Sequence, residues 1–166
     1  MRERHLNSGR AALAVVPNPL AETAAETVLF CGHCGTRPDG KTSSRVCESC
    51  GLGILLQSGA DVAPVKGSPF LVIDDSMSVC AVSGAAEEML ATRETDAVNR
   101  HLTELVVPAD AEAQGPKNLA VAVTWAARGE GAVHRVFVRP AKTFGVRISA
   151  RIASCGPPNA ALIVLD

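Results

Sequence analysis

Four cysteines form two Cys-x-x-Cys pairs with twelve residues between the pairs: Cys31, Cys34, Cys47 and Cys50. Each pair turns two thiolates toward one point, and four thiolates at one point suit the tetrahedral coordination of zinc. A glycine follows each pair, at Gly35 and Gly51, and glycine tolerates the positive φ of a tight turn beneath a metal. The spacing therefore predicts a structural zinc site. His33 lies inside the first pair and is expected to face solvent, because four thiolates already complete the ligand set.

A site of four thiolates is closed, so it leaves no coordination position for water or substrate. The sequence also contains no Gly-x-Ser-x-Gly, phosphate-loop or His-Glu-x-x-His motif. We therefore predict no catalytic residues and no enzymatic activity. Arg37, Lys41 and Arg45 lie around the cysteines, but no aromatic platform accompanies these charges, so nucleic-acid contact is not favoured.

The cysteine pairs need short elements to hold them together, and residues 28–56 supply these. The segment Val28-Leu29-Phe30 predicts a strand before the first pair, and a Pro-Asp-Gly turn reverses the chain between the pairs. The four cysteines, two glycines and turn resemble a zinc ribbon. So small a module cannot bury enough surface alone, so the metal would hold its fold. Iron in a rubredoxin-like centre fits the same ligands, but such a centre usually lies in an aromatic core that this segment lacks; zinc is the predicted cofactor.

The whole chain of 166 residues has room for one ordinary domain and a small module. It is 47% hydrophobic but only 3% aromatic, which predicts an aliphatic core. A net charge of −1 gives no general attraction to nucleic acid or to a membrane, and no apolar run approaches the roughly 18 residues of a membrane span. Paired cysteine knuckles indicate metal binding in a reducing compartment, so we predict a cytoplasmic protein.

Composition divides the chain into four parts: an N-terminal segment (1–27), the zinc ribbon (28–56), a linker of small residues with Pro and Gly (57–67), and a second domain (68–166). Two interpretations of the N-terminal segment stay open. It is either a frayed tail, or it contains an amphipathic docking helix over Leu20–Leu29.

The second domain predicts two strands, three helical segments and three further strands. The predicted helical segments are Gly84–Ala91 capped by Ser83, Asp96–Leu105, and Lys117–Arg128 closed by Gly129. The last three predicted strands are Ala132–Pro140, Gly145–Ser154 and Ala160–Leu165.

Motifs in this domain resemble those of a PAS domain in their order and spacing. They are Pro69-Phe70-Leu71-Val72-Ile73-Asp74, Val82-Ser83-x-Ala85-Ala86-Glu87, and Asn99-Arg100-His101-Leu102-Thr103-Glu104-Leu105 before Pro108-x-Asp110. The glycine usual in the third motif is replaced by Asn99, which can adopt a left-handed conformation. The resemblance implies an α+β fold with a five-stranded antiparallel sheet, helices on one face, and a sensory pocket between them. A generic α+β domain of different topology remains the alternative.

Alternating residues in two of the predicted strands separate an apolar face from a basic face. The apolar side carries His134, Val136, Val138, Val146, Ile148, Ala150 and Ile152. The basic side carries Arg135, Arg139, Arg147 and Arg151. We expect the apolar face to meet the helices, and the basic face to be bare or to hold a partner anchored at Phe137.

The resemblance also implies a possible ligand, because PAS domains bind haem, flavin or metabolites, or nothing. Arg100 directly follows Asn99, so the cysteine of the light-sensing flavin class is missing, and the helix over residues 117–128 has no histidine for haem. An aliphatic pocket favours a fatty acid or similar amphiphile. The predicted ligand-binding residues are Arg100, His101, Trp125, His134, Val136 and Ile148. In the alternative interpretation both histidines and the tryptophan are packing or surface residues, the core is filled, and the domain acts in dimerisation.

Together these observations predict a cytoplasmic sensory or regulatory protein, in which a zinc ribbon precedes a PAS domain that binds a small apolar ligand. Because the chain ends directly after the last predicted strand, output is expected through the ribbon, the N-terminal segment or a dimer. The alternative is a transcription-associated adaptor, whose ribbon contacts nucleic acid or polymerase while the PAS domain dimerises. A protein partner or homodimer is expected in both cases.

Overall fold

The computed structural model describes residues 26–40, 42–110, 115–130 and 132–166. The two hypotheses for residues 1–27 therefore lie outside the described residues, except at their last two positions. Thr27 begins a strand that continues to Cys31, so the end of the proposed docking helix is extended instead.

Within the described residues, eight strands form one antiparallel sheet. They are β1 (Thr27–Cys31), β2 (Leu55–Gly59), β3 (Phe70–Ile73), β4 (Val79–Val82), β5 (Val106–Pro108), β6 (His134–Pro140), β7 (Ile148–Gly156) and β8 (Ala160–Leu165). Their order is β1-β2-β7-β8-β3-β4, while β6 also pairs with β7, and β5 pairs with β6. The fold is α+β, but the predicted count of five strands is wrong.

The sheet has three strands beyond the predicted five: β5, which pairs with β6, and β1 and β2 of the cysteine segment, which join the sheet because β7 carries two neighbours on one edge. Its first half pairs with β6, its last two residues pair with Gln57 and Ser58 of β2, and β8 occupies the other edge. β7 continues to Gly156, two residues beyond the predicted strand. This extension leaves backbone groups free to bond β2, which brings the cysteine segment into the same sheet.

The helices lie on one face of the sheet. They are α1 (Gly84–Leu90), α2 (Glu94–Ala97) and α3 (Leu119–Ala127), with 3-10 turns at Leu102–Glu104 and Gly115–Lys117. The Ser83 side chain accepts a hydrogen bond from the Ala86 backbone N–H, which confirms the predicted cap. None of the helices in the described part of the chain is long and apolar enough to cross a membrane.

The predicted continuous helix over Asp96–Leu105 is wrong, because Asn99 interrupts it. Asn99 has a φ of 68°, the left-handed conformation expected of a residue in the glycine position. The chain therefore leaves α2 after Ala97 and resumes helical structure at Leu102.

Two apolar cores lie on opposite faces of the sheet. The inner core joins the helices to the sheet, and its strand residues include Leu71, Ile73, Ala150, Ile152 and Ile163. The outer core joins the cysteine segment to the sheet and comprises Phe30, Leu56, Val62, Ala63, Phe70, Val72, Ala153, Cys155, Ala160, Leu162 and Val164. The outer face is therefore covered at β3 and β8. The basic face predicted for β6 and β7, with Arg135, Arg139 and Arg151, lies on the same side, and its role as a bare or partner-binding surface stays a prediction.

The segment predicted as a linker, residues 57–67, is largely built into the fold. Gln57–Gly59 belong to β2, and Val62 and Ala63 are buried in the outer core. The Arg37 guanidinium donates to the carbonyls of Ala63 and Pro64. Strand pairing, these hydrogen bonds and the burial of two apolar side chains together fix a segment whose composition is typical of a linker.

Candidate functional site

The four predicted ligands lie together, and their geometry is compatible with a metal such as zinc. All four Sγ atoms lie within 4.8 Å of one another. The Sγ atoms of Cys31 and Cys50 are 3.7 Å apart, and those of Cys34 and Cys47 are 3.9 Å apart. Zinc–sulfur bonds of about 2.3 Å at tetrahedral angles place sulfurs about 3.8 Å apart, and these two spacings match that value. We call the four cysteine sulfurs the cage.

Backbone N–H groups point at the sulfurs and favour the thiolate form. The N–H groups of His33 and Cys34 each lie 3.4 Å from Cys31 Sγ, and the N–H of Gly53 lies 3.5 Å from Cys50 Sγ. The Gly53 hydrogen bond lowers the pKa of Cys50 to about 6, whereas burial raises the pKa of Cys31 to about 12. A divalent cation in the cage would supply the charge that deprotonates the buried thiol.

Three glycines shape the turns of the cage. Gly35 and Gly51 have φ values of 72° and 68°, as the sequence predicts. Gly53 is a residue that the sequence analysis missed. A Cβ added there would overlap Cys31 Sγ and come within 2.8 Å of His33 Cβ. The only available signal was a second glycine two residues after Gly51, which marks a close backbone approach.

The metal module is held to the rest of the fold by packing and by hydrogen bonds. The fully buried rings of Phe30 and Phe70 meet edge to face, with centroids 5.9 Å apart. The buried Ser58 hydroxyl donates to the Ser154 carbonyl at 2.8 Å, between β2 and β7. These contacts join the two parts into one packed unit.

His33 does not simply face solvent, as expected from the sequence. Its Nδ1 lies 3.0 Å from Glu94 Oε2, and its side chain is 33% exposed. The other Glu94 oxygen accepts the Val82 N–H at 3.1 Å. Glu94 therefore connects the first cysteine pair to both α2 and β4.

A cavity of about 410 Å³ lies between this knuckle and the outer face of the sheet. Its lining residues are Gly32, His33, Leu52, Gly53, Ile54, Leu56, Val72, Asp74, Cys80, Ala81, Glu94, Pro158, Asn159 and Ala160. We call this cavity the knuckle groove. It includes none of the ligand-binding residues predicted from the sequence.

Two of the predicted ligand-binding residues meet in the structure. The rings of Trp125 and His134 have centroids 5.4 Å apart and are tilted by 54°. Val136 is buried in the inner core, and Ile148 packs against that core while remaining partly exposed.

Arg100 and His101 lie elsewhere and have other partners. Arg100 Nε is 3.8 Å from Glu104 Oε2, and Arg100 lines a separate surface cavity of about 140 Å³. The exposed His101 accepts the Thr103 N–H and begins a 3-10 turn. Of the six predicted residues, Arg100 lines this small cavity and none lines the knuckle groove, so a shared ligand site for them stays a prediction.

The basic face contains rings as well as arginines. Arg147 lies 3.6 Å from the centroid of Phe137, and its Nη2 is 2.9 Å from Asp110. Arg139 lies 4.8 Å from the ring of Phe144, which is 81% exposed. Arg139 and Arg147 thus already have partners within the chain.

No protein-family model matches the sequence, and comparison with curated proteins finds no significant match. One similar solved structure is the PAS domain of nitrogen regulation protein NR(II) from Vibrio parahaemolyticus. It shares 13% identity, with 60% of this chain and 88% of that chain covered, and the TM-score is 0.44. A likeness at this level carries no argument, so the α+β assignment rests on the elements described above.

Proposed function

We propose that this chain is a non-enzymatic sensory or regulatory module, in which a structural zinc site is built into a PAS-like domain. The observation that carries the proposal is the shared sheet: β2 of the cysteine segment pairs directly with β7 of the larger domain. We propose that a change of conformation on either side of that pairing is transmitted to the other through these backbone hydrogen bonds. The order of the PAS-like motifs in the sequence supports the sensory assignment.

Zinc would be held by Cys31, Cys34, Cys47 and Cys50 as thiolates. The sulfur spacings of 3.7 and 3.9 Å support a closed tetrahedral site. When bound, the metal would supply a structural cross-link between two short turns, with no position open for a reacting molecule.

A route for signalling is supported by contacts at the first knuckle. His33 contacts Glu94, and Glu94 also bonds β4, so the knuckle, α2 and the sheet share one hydrogen-bonded connection. We propose that ligand binding is communicated to a protein partner through this region or through a homodimer in the cytoplasm.

The fatty-acid hypothesis stays a proposal, and two of the polar residues predicted to bind the ligand, Arg100 and His101, have other partners. Arg100 has an ion pair with Glu104, and His101 caps a turn at the surface. The adaptor hypothesis likewise gains nothing from Arg37, whose guanidinium is engaged by two backbone carbonyls.

The test of the zinc proposal is native mass spectrometry of the full chain and of two cysteine variants. Wild type and Cys80→Ser should each carry one zinc ion, since Cys80 lies outside the cage. Cys34→Ser should lose zinc and should unfold in a single transition at a lower melting temperature, because the cage shares a core with the larger domain. A full equivalent of zinc on Cys34→Ser would exclude the proposed ligand set.

The sensory proposal is tested separately by hydrogen exchange. Addition of a binding ligand should change the protection of β1 and β2 as well as the protection of the binding region. Unchanged exchange in β1 and β2 with a saturating ligand would contradict the proposed route of signalling. The native mass spectra of the full chain would also reveal a co-purified fatty acid. A melting temperature that does not change when fatty acid is added would contradict the fatty-acid hypothesis.

A further inference from the structure

We propose that the knuckle groove binds a small molecule with an apolar body and a cationic, amine-type head group. The inference rests on the proposed sensory function for its biological meaning, and it names the site and the ligand class. It moves the ligand from the inner face of the sheet to the outer face, beside the metal cage.

The body of the ligand would lie against aliphatic side chains contributed by three parts of the fold. Val72 of β3 and Ala81 of β4 are cross-strand partners and form one wall. Leu56 of β2 is buried on the opposite side, while Leu52 and Ile54 are 74% and 51% exposed at the rim. Exposed aliphatic residues that adjoin one another beside an apolar groove are typical of a binding surface, whereas single scattered ones are ordinary on any protein surface.

The size and shape of the groove favour a small molecule over an extended peptide. A volume of about 410 Å³ falls within the roughly 300–1,000 Å³ of small-molecule sites. His33 on the knuckle and Glu94 on α2 both line the groove and contact each other at 3.0 Å. This contact joins two walls of the groove, and a compact ligand leaves it intact.

The charge of the lining selects the head group. The charged side chains that line the groove are the carboxylates of Asp74 and Glu94, and no lysine or arginine lines it. Both oxygens of Glu94 are engaged, by His33 and by the Val82 N–H. Asp74 uses Oδ1 to accept hydrogen bonds from Ser76 and Ser78.

No cation balances Asp74 among the described residues. None of the ion pairs in the described part of the chain includes it. A carboxylate head group would be repelled by this rim, whereas an ammonium group would complete it. The geometry thus favours an amine over the fatty acid predicted from the sequence.

Cys80 provides a built-in reporter, because its exposed thiol also lines the groove. The other cysteines either belong to the metal cage or, at Cys155, are buried. Alkylation of the zinc-loaded protein should therefore occur at Cys80, and a ligand in the groove should slow it.

The experiment compares octylamine with octanoate on the zinc-loaded full chain. Titration calorimetry gives the two affinities, and peptide mapping gives the rate of Cys80 alkylation at each concentration. We expect octylamine to bind about tenfold or more tightly than octanoate, as one charge contact at a partly buried rim provides. We also expect octylamine to slow alkylation of Cys80 with the same concentration dependence as binding.

Two neighbouring variants separate the head-group contact from general acidity. Asp74→Asn should lower octylamine affinity about tenfold, because it removes the charge but keeps the oxygen that the serine N–H groups require. Asp75→Asn changes an exposed carboxylate that does not line the groove, and should leave the affinity unchanged. A third variant, Ala81→Leu, should abolish binding by filling the groove.

Equal affinities for the two probes, or equal losses in the Asp74 and Asp75 variants, would overturn the assigned head group. Octylamine binding that leaves Cys80 alkylation unchanged would overturn the assigned site. Binding of a lysine-rich apolar peptide but not of octylamine would overturn the small-molecule assignment. Octylamine that meets every expectation while exchange in β1 and β2 stays constant would support the site and refute the sensory function instead.

Discussion

Replacing Phe30 with alanine tests whether the metal module and the larger domain are one cooperative unit. The ring is fully buried, lies in the outer core and meets Phe70 edge to face. Removing a buried phenylalanine side chain costs about 3–5 kcal/mol. For a chain of this size each kcal/mol lowers the melting temperature by about 2–4 °C, so the decrease should be about 6–20 °C.

The assay is thermal unfolding of the zinc-loaded chain, followed by circular dichroism and by a chromogenic zinc indicator. We expect a single transition at the lower temperature, with zinc released over the same range. Phe144→Ala is the matched control, because that ring is 81% exposed and lies beside the Arg139 guanidinium at the surface. Its effect should stay below about 1 kcal/mol.

Two separated transitions in the Phe30 variant would refute the reasoning, provided that only the first releases zinc and the second keeps the wild-type midpoint. That result would mean that the cysteine module melts alone and that its strand pairing with β7 contributes little. A shift of similar size in the Phe144 control would also refute it, since burial could then not explain the loss.

Three further variants test the cage, the strand pairing and the acid limb of stability. Gly53→Ala should weaken zinc binding by a free energy at least as large as its loss of folding stability, since the added Cβ overlaps a ligand sulfur. Gly84→Ala, which has open space around it, should bind zinc normally in an indicator assay. Ser58→Ala should lower the free energy of unfolding by about 1–3 kcal/mol in denaturant titrations, because it leaves a carbonyl of β7 without its buried hydroxyl partner; no change would mean that the contact is dispensable. Asp166→Asn should cost less than about 1 kcal/mol at pH 7, because the Arg151 hydrogen bond lowers the pKa of a carboxyl that is 37% exposed. That contribution is present above the unfolded-state pKa of about 3.9 and is lost as pH falls through the lower folded-state pKa, so wild type and variant should converge once the pH lies below that folded-state pKa; a difference that grows at low pH would contradict it.

The metal cage was predictable because its signal is local. Each Cys-x-x-Cys pair and the glycine that follows it, Gly35 or Gly51, lie within five consecutive residues, so the sequence contains each turn whole. Gly53 escaped because its requirement comes from a sulfur of the other cysteine pair. At Asn99 the sequence predicted the local backbone conformation but not its consequence. The left-handed conformation was expected, whereas the break in the helix was not.

The shared sheet was not predictable because its pairing joins distant segments through polar or small residues. Gln57-Ser58-Gly59 has the composition of a linker, and the pairing with β7 depends on backbone groups that every sequence possesses. Val62 and Ala63 indicate packing only once Phe70 is known to lie opposite. The knuckle groove was not predictable for the same reason, since it forms only where the cysteine segment packs on the sheet.

The pairing of β2 with β7 also sets the order of events during synthesis. The cysteines that share the cage are at most 19 residues apart in sequence, so their loop closes at little entropic cost soon after it leaves the ribosome. Ser58 pairs with Ser154, 96 residues later, so its strand stays unpaired on that edge until β7 has been synthesised. Metal loading can thus precede completion of the sheet, and a translating ribosome would carry an ordered cage beside an exposed strand edge.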